Sequence, residues 1–207
     1  MDVLIAGAHG GVGQHITELL AESDHTAHAM VRTDSQVSEM QEEFGVDVVV
    51  ADLTEDVTHA VEGCDAVIFA AGSSGEDVEG VDRDGAIRLI DAAEQEGADR
   101  FVMLSSINAD RPEESPEALQ PYLEAKLAAD EHLQGSDLTH TIVRPGALTD
   151  EAATGRIEAA RRVERGEITR EDVARTLVAA LDVENTHGET FEMIEGETPI
   201  ESALEDV

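Results

Sequence analysis

A chain of 207 residues, 41% of them hydrophobic, is long enough to bury one sizeable core and reads as a single domain, residues 1–207. Its 47 acidic residues against 13 basic ones leave a formal net charge of −34 spread along the whole length. That excludes an acidic tail and argues against nucleic acid or an anionic membrane as partner, because both need a basic face. Twelve of the 13 cations are arginine, a pattern that resembles the acidic, lysine-poor surfaces of extreme halophiles, where molar salt screens self-repulsion.

The first residues, "MDVLIAGAHGG", lack the positive start and long apolar region of a signal peptide, and no run reaches the length of a transmembrane helix. A soluble cytoplasmic protein is expected. The first predicted strand, "DVLIAG" (Asp2–Gly7), runs directly into "GAHGGVGQHITELL". Gly7, Gly10 and Gly13 give G-x-x-G-x-x-G, with His9, Gly11 and Val12 completing the loop. Gly7 permits the tight turn after the strand, Gly10 lets backbone approach a pyrophosphate, and Gly13 lets the helix pack against the sheet with its first amides aimed at the anion. A glycine loop alone is weak, since any tight strand-to-helix turn favours glycine, but its place between the first strand and first helix points to a dinucleotide. His9 either touches a phosphate or faces solvent.

"HAMV" (His28–Val31) reads as the second strand and ends at "RTDS". Arg32 stands where NAD-selective sites usually carry an acid for the ribose 2′-OH, and a guanidinium suits a 2′-phosphate. NADP is therefore the expected cofactor; Asp34 keeps NAD open, and a solvated Arg32 is the plain alternative. His25 and His28 lack a third ligand, so no metal site is expected. After the helical "SQVSEMQEEF", the strands "VDVVVA" (Val46–Ala51) and "DAVIFAA" (Asp65–Ala71) follow, the latter preceded by Cys64. A single cysteine cannot form an internal disulfide and reads as a small buried hydrophobe.

"GVDRDGAIRLIDAAEQEG" is predicted helical, then "RFVMLSS" (Arg100–Ser106) is a strand and "RPEESP" (Arg111–Pro116) a loop. "PEALQPYLEAKLAADEHL" is the next helix, followed by the strand "HTIVRPG" (His140–Gly146), with Arg144 read as a structural ion pair or a substrate contact. A charged loop around Gly155–Gly166, a helix in "TREDVARTLVAALD" capped by Thr169, and a late strand "ETFEMIE" close the chain. Continuously apolar strands alternating with amphipathic helices indicate a doubly wound α/β sheet. Tyr122 and Lys126, the only tyrosine and the only lysine, fall four residues apart on one helix face.

"GAHGGVG", "ADL", "FAAG", "MLSS", "YLEAK" and "IVRPG", in this order, resemble the atypical short-chain dehydrogenase/reductase family, in its compact branch related to the NAD-dependent epimerase/dehydratase enzymes. The resemblance spans nearly the whole chain. It implies a Rossmann-like parallel sheet with a small C-terminal substrate lobe, drawn mainly from residues 107–122 and 147–207. It implies that Asp52 and Leu53 contact the adenine, that Ala70, Ala71 and Gly72 pack against the adenosine ribose and cofactor backbone, that Ser105 and Ser106 flank the nicotinamide, and that Pro145 and Gly146 form the turn near its amide. Tyr122 and Lys126 match the family's Y-x-x-x-K pair, in which the lysine holds the nicotinamide ribose and lowers the pKa of a phenol that otherwise titrates near about 10. Ile107 stands where the larger family members place a catalytic serine or threonine; Ser106 can take that place, or Asn108 can supply a hydrogen bond.

The expected activity is that of an NADP-dependent oxidoreductase or epimerase-like enzyme on a small carbonyl or hydroxyl substrate, as a monomer or homodimer. The alternative is a non-enzymatic NADP(H)-binding redox sensor or regulatory protein.

Overall fold

The computed structural model describes residues 1–73 and 75–207. The first half alternates strand and helix: β1 (Asp2–Ala6), α1 (Gly11–Ala21), β2 (Thr26–Val31), α2 (Asp34–Phe44), β3 (Asp47–Val50), a short α3 (Thr58–Val61), β4 (Ala66–Phe69), a π-helical turn (Val78–Arg83), α4 (Asp84–Glu96) and β5 (Arg100–Leu104). The second half runs α5 (Gln120–Gln134), β6 (Thr139–Pro145), β7 (Ala147–Thr149), β8 (Arg156–Ala160), β9 (Glu167–Thr169), α6 (Arg170–Ala179), β10 (Glu189–Glu195), β11 (Thr198–Pro199) and α7 (Ile200–Leu204).

Nine strands form one sheet in the order β11-β8-β10-β6-β5-β4-β1-β2-β3. From β3 to β10 the neighbours pair in parallel; β8 and β11 pair antiparallel at the far edge. This is the Rossmann-like order, and its direction of winding reverses between β1 and β4, where ligands of such sheets bind.

Side chains alternate across the strands and fill two apolar layers. Val3 and Ile5 of β1 join Val12, Ile16 and Leu20 of α1 and Val173 and Leu177 of α6. Leu4 and Ala6 join Leu89 and Ile90 of α4 and Ala129 and Leu133 of α5 on the opposite face. At roughly 25 cal/mol per Å² of apolar area, these two layers supply the main stabilising term. Cys64 lies in the second layer, where burial and the Asp2 and Asp65 carboxylates push its thiol up to about 11. It is an inert thiol at neutral pH.

The C-terminal third differs from its sequence reading in detail. Residues 155–166, expected as a loop, contain β8, which takes β10 and β11 as partners. Much of residues 147–207, assigned to a substrate lobe, extends the central sheet, with α6 packed beside α1; β7 and β9 form a separate parallel pair above the end of β6. Among the described residues, no helix is long and apolar enough to cross a membrane.

Candidate active site

The residues singled out in the sequence gather at one edge, beyond the carboxyl ends of β1 through β6. Gly7 turns the chain with φ +86°, and its missing side chain matters: a Cβ there would lie 2.6 Å from Ala71 Cα. Gly13, in the first turn of α1, lets the helix press against the same turn, since a Cβ would fall 2.0 Å from the Gly7 carbonyl oxygen. The turn after β1 and the backbone at Ala70–Ala71 thus touch directly. Gly10 and Gly11 are exposed, and Gly10 caps α1 without a side-chain hydrogen bond. In a chain this acidic, the first turn of α1 carries no acid.

Around this loop the polar side chains settle as follows. His9 Nε2 pairs with Glu39 at 3.0 Å. The Gln36 side chain accepts from the Arg32 and Thr33 amides, holding the turn after β2, while the Arg32 guanidinium is exposed and has no ion-pair partner among the described residues. Asp52 accepts from the Thr54 amide and hydroxyl, which hold its carboxyl below the usual range, with Arg32 contributing at longer reach. Leu53 is buried beneath Gly85. His25 turns to Asp182 and His28 to Asp2.

The other half of the cleft is built from buried charges. Lys126 is 1% exposed, its ammonium 5.2 Å from the centre of the Phe69 ring, and none of the described residues accepts a hydrogen bond from it. One turn later on the same face, Asp130 is fully buried. Its Oδ2 accepts from Ser105 Oγ at 2.8 Å and Arg144 Nε at 3.0 Å, while Oδ1 has no partner among the described residues. Arg144 also reaches Asp110 at 3.3 Å, so it is a structural ion pair. Asp82, 1% exposed, is presented by the π-helical turn and accepts from the Ser73 hydroxyl at 2.6 Å. Burial presses the Lys126 pKa down, and Asp130 and Asp82 oppose it. Burial likewise raises Asp130, against Arg144 and Lys126.

Tyr122 corrects one expectation. Its phenol is pushed up to about 12, first by burial and then by the Asp82 and Asp130 carboxylates. The charges acting on it are the two carboxylates, which disfavour a phenolate. The phenol is therefore a firmly protonated acid at neutral pH.

At the end of β5, Ser105 is buried and committed to Asp130, whereas the half-buried Ser106 makes only a 3.4 Å contact with the Ile107 carbonyl. The Ile107 amide donates to the Pro145 carbonyl and the Gly146 amide to that of Met193, which fixes the two strand ends together. Asn108, weighed as a substitute hydroxyl-binding group, is instead consumed by its own loop. It adopts φ +62°, its amide nitrogen donates to Ser115, and its carbonyl oxygen accepts from Arg111.

Several participants escaped sequence reasoning. Asp82, Asp130 and the fully buried Glu192 are three acids among 47, with no local signal to mark them. Arg170, first residue of α6, lies with its Cδ 2.9 Å from where a Gly11 Cβ would be, and so stands over the glycine loop. A surface depression of about 400 Å³ adjoins the glycine loop on its α2 side, lined by His9, Gln14, Glu39, Met40, Glu42 and Glu43. Three carboxylates make it hostile to an anionic dinucleotide.

The residues present fit a nicotinamide dinucleotide on three counts. The uncapped start of α1 offers amides to an anion, Arg170, paired with Asp150, brings a guanidinium to the same loop, and the Lys126 ammonium, with no acceptor among the described residues, awaits hydroxyls at the other end.

Comparison with known proteins agrees. Over residues 7–184 the chain matches the NAD(P)H-binding family. A Bacillus subtilis protein named as an uncharacterized sugar epimerase is 44% identical over 212 residues, covering 99% of both chains. A solved structure from Bacillus halodurans, provisionally assigned as an NAD-dependent epimerase/dehydratase, superposes with a TM-score of 0.96 at 39% identity over 100% of each chain. An oxidoreductase from Lactococcus lactis gives 0.92 at 33% identity, over 100% of this chain and 96% of that one. The chain belongs to the NAD(P)H-binding family, among the atypical short-chain dehydrogenase/reductases related to the epimerase/dehydratase enzymes.

Proposed function

We propose that the protein is an NADP-dependent oxidoreductase or epimerase-like enzyme acting on a small carbonyl or hydroxyl compound. The observation that carries the reading is Lys126: a side chain 1% exposed whose ammonium has no acceptor among the described residues, one helical turn from the only phenol. Burying a charge costs several kcal/mol, and a fold retains it where a ligand completes it.

Lys126 then holds the hydroxyls of the nicotinamide ribose. The α1 amides, with Arg170 above them, hold the pyrophosphate. Arg32, unpaired at the end of β2, meets the 2′-phosphate and favours NADP over NAD. When bound, the dinucleotide supplies a hydride to the substrate carbon, or takes one from it. Tyr122 moves the balancing proton: its phenol donates to the carbonyl oxygen as that carbon is reduced, and the phenolate accepts the hydroxyl proton in the reverse direction. At about 12 the phenol is present in its protonated form at neutral pH, the form the donating direction needs, and is a weaker acid than an ordinary tyrosine. Ser106 is the hydroxyl free to bind the substrate oxygen, Ser105 being engaged by Asp130.

A second reading, an NADP(H)-binding redox sensor without turnover, is favoured by Ile107 in the place of the family's hydroxyl residue and by Asn108 being tied up in its loop. NADPH oxidation across a panel of small aldehydes and ketones separates the two. Turnover by the wild type, lost about 10²–10⁴-fold in Tyr122→Phe at unchanged NADPH affinity, is expected. Tight NADPH binding with no turnover of any member would install the sensor reading instead.

A further inference from the structure

We infer that the substrate is an anion whose carboxylate or phosphate is read by Arg161, Arg162 and Arg165; this rests on the enzyme reading above and names its substrate class. In a chain with a net charge of −34, three of the 13 basic residues fall within the five-residue run "RRVER". Residues 156–175 hold six arginines to five acids, against 13 to 47 in the whole chain. All three arginines of the run are exposed. Surface arginines elsewhere, such as Arg83 and Arg175, pair with an acid four residues away on the same helical stretch. Arg161 makes no ion pair or side-chain hydrogen bond among the described residues.

The loop that bears them, between β8 and β9, is pinned in place. The Val163 amide donates to Glu192 Oε2 at 3.0 Å, and the other oxygen of that buried carboxylate accepts from the Asn108 amide and from Arg111. Arg162 pairs with the Glu114 carboxylate at 2.5 Å, and Arg165 donates to the Glu114 carbonyl at 2.8 Å. The Gly166 carbonyl accepts from the Ala147 amide and would lie 2.4 Å from any Gly146 Cβ. The arginine loop is thereby fastened to the segments that leave β5 and β6 immediately after Ser106 and Pro145, the catalytic edge of the sheet.

A neutral substrate would need no such patch. A small anion approaching a body this negative is repelled, and a local group of guanidiniums on the loop fastened to that edge weakens the repulsion there while offering fork-shaped donors to two oxygens.

The test is calorimetry on NADP-loaded Tyr122→Phe protein, which removes turnover, with matched ligands: succinic semialdehyde against butanal, and dihydroxyacetone phosphate against dihydroxyacetone. We expect at least one charged member to bind about tenfold or more tightly than its neutral twin, with the winning pair distinguishing carboxylate from phosphate. Arg161→Gln should reduce that preference several-fold, and the variant with all three arginines changed to glutamine should erase it, with NADP affinity intact. Arg161 contacts nothing that holds the loop, so its variant keeps the test valid even where the triple variant loosens Glu114. No preference in either pair, whether both members bind or neither does, would overturn the inference. So would a preference that survives the triple variant, or a loss confined to NADP. A retained preference alongside a wild type that reduces nothing supports the anion site while removing the enzyme reading.

Discussion

At the ends of β1 and β4 the cleft is lined by backbone, glycine and alanine; at the ends of β5 and β6 it is lined by charged side chains sunk into the core. In the first region the decisive contacts are between main-chain atoms of Gly7, Gly13 and Ala71, and the nearby carboxylate, Asp52, sits in a local turn that favours its ionised form. In the second, Lys126, Asp82, Asp130 and Arg144 are all less than a tenth exposed, and burial pushes both Lys126 and Asp130 toward their neutral forms. A phosphate-binding loop can be rigid and uncharged because helix amides supply the field. Proton transfer is served by titratable groups displaced from their ordinary values, and burial among other charges is a strong way to displace them. One cleft therefore joins a half whose cost is steric to a half whose cost is electrostatic.

The contrast can be broken from either side. The largest loss is expected from Asp130→Ala, which leaves Arg144 and Ser105 without their acceptor and should cost about 3–5 kcal/mol in urea unfolding. Asp130→Asn, keeping the shape, separates the loss of charge from the loss of packing. Gly13→Ala strikes the steric half: a methyl 2.0 Å from the Gly7 carbonyl forces α1 off the sheet and should cost about 3 kcal/mol, whereas Gly10→Ala meets only that carbonyl at 3.2 Å and should fold normally. Melting temperatures of the two glycine variants measure that difference. The smallest of these effects sharpens the first half. Arg32→Ala should weaken NADP about tenfold to a hundredfold and leave NAD nearly unchanged; equal losses would remove Arg32 from the 2′-phosphate.

The same division governs what the sequence makes legible. Glycine spacing and apolar strands are local signals, so β1 through β6 and the loop at Gly7–Gly13 are readable, as is the lone Tyr122–Lys126 pair in a chain otherwise stripped of both residue types. β8 is not, because "RIEAA" is charged and short, and finds its partners β10 and β11 only roughly 30 to 45 residues later. The π-helical turn that carries Asp82 reads as ordinary helix. Asp130 and Glu192 are invisible for a compositional reason: in so acidic a chain, the acid that folds inward looks like those that stay in water. The raised phenol pKa follows from the same blindness, since the spacing of Tyr122 and Lys126 announces the cation but not the two carboxylates behind it.

Having one tyrosine and no tryptophan, the protein permits a direct test of that buried cluster through ultraviolet absorbance of the phenolate as pH is raised. The folded-state value lies above the unfolded one, so the contribution of Tyr122 to stability is complete below about pH 10 and is lost as pH rises through about 12. The account predicts a midpoint near 12 in the wild type and a lower one in Asp130→Asn, with circular dichroism confirming that the chain is still folded. A midpoint near the ordinary value of about 10, unmoved by that substitution, would place Tyr122 in solvent and contradict the catalytic cluster.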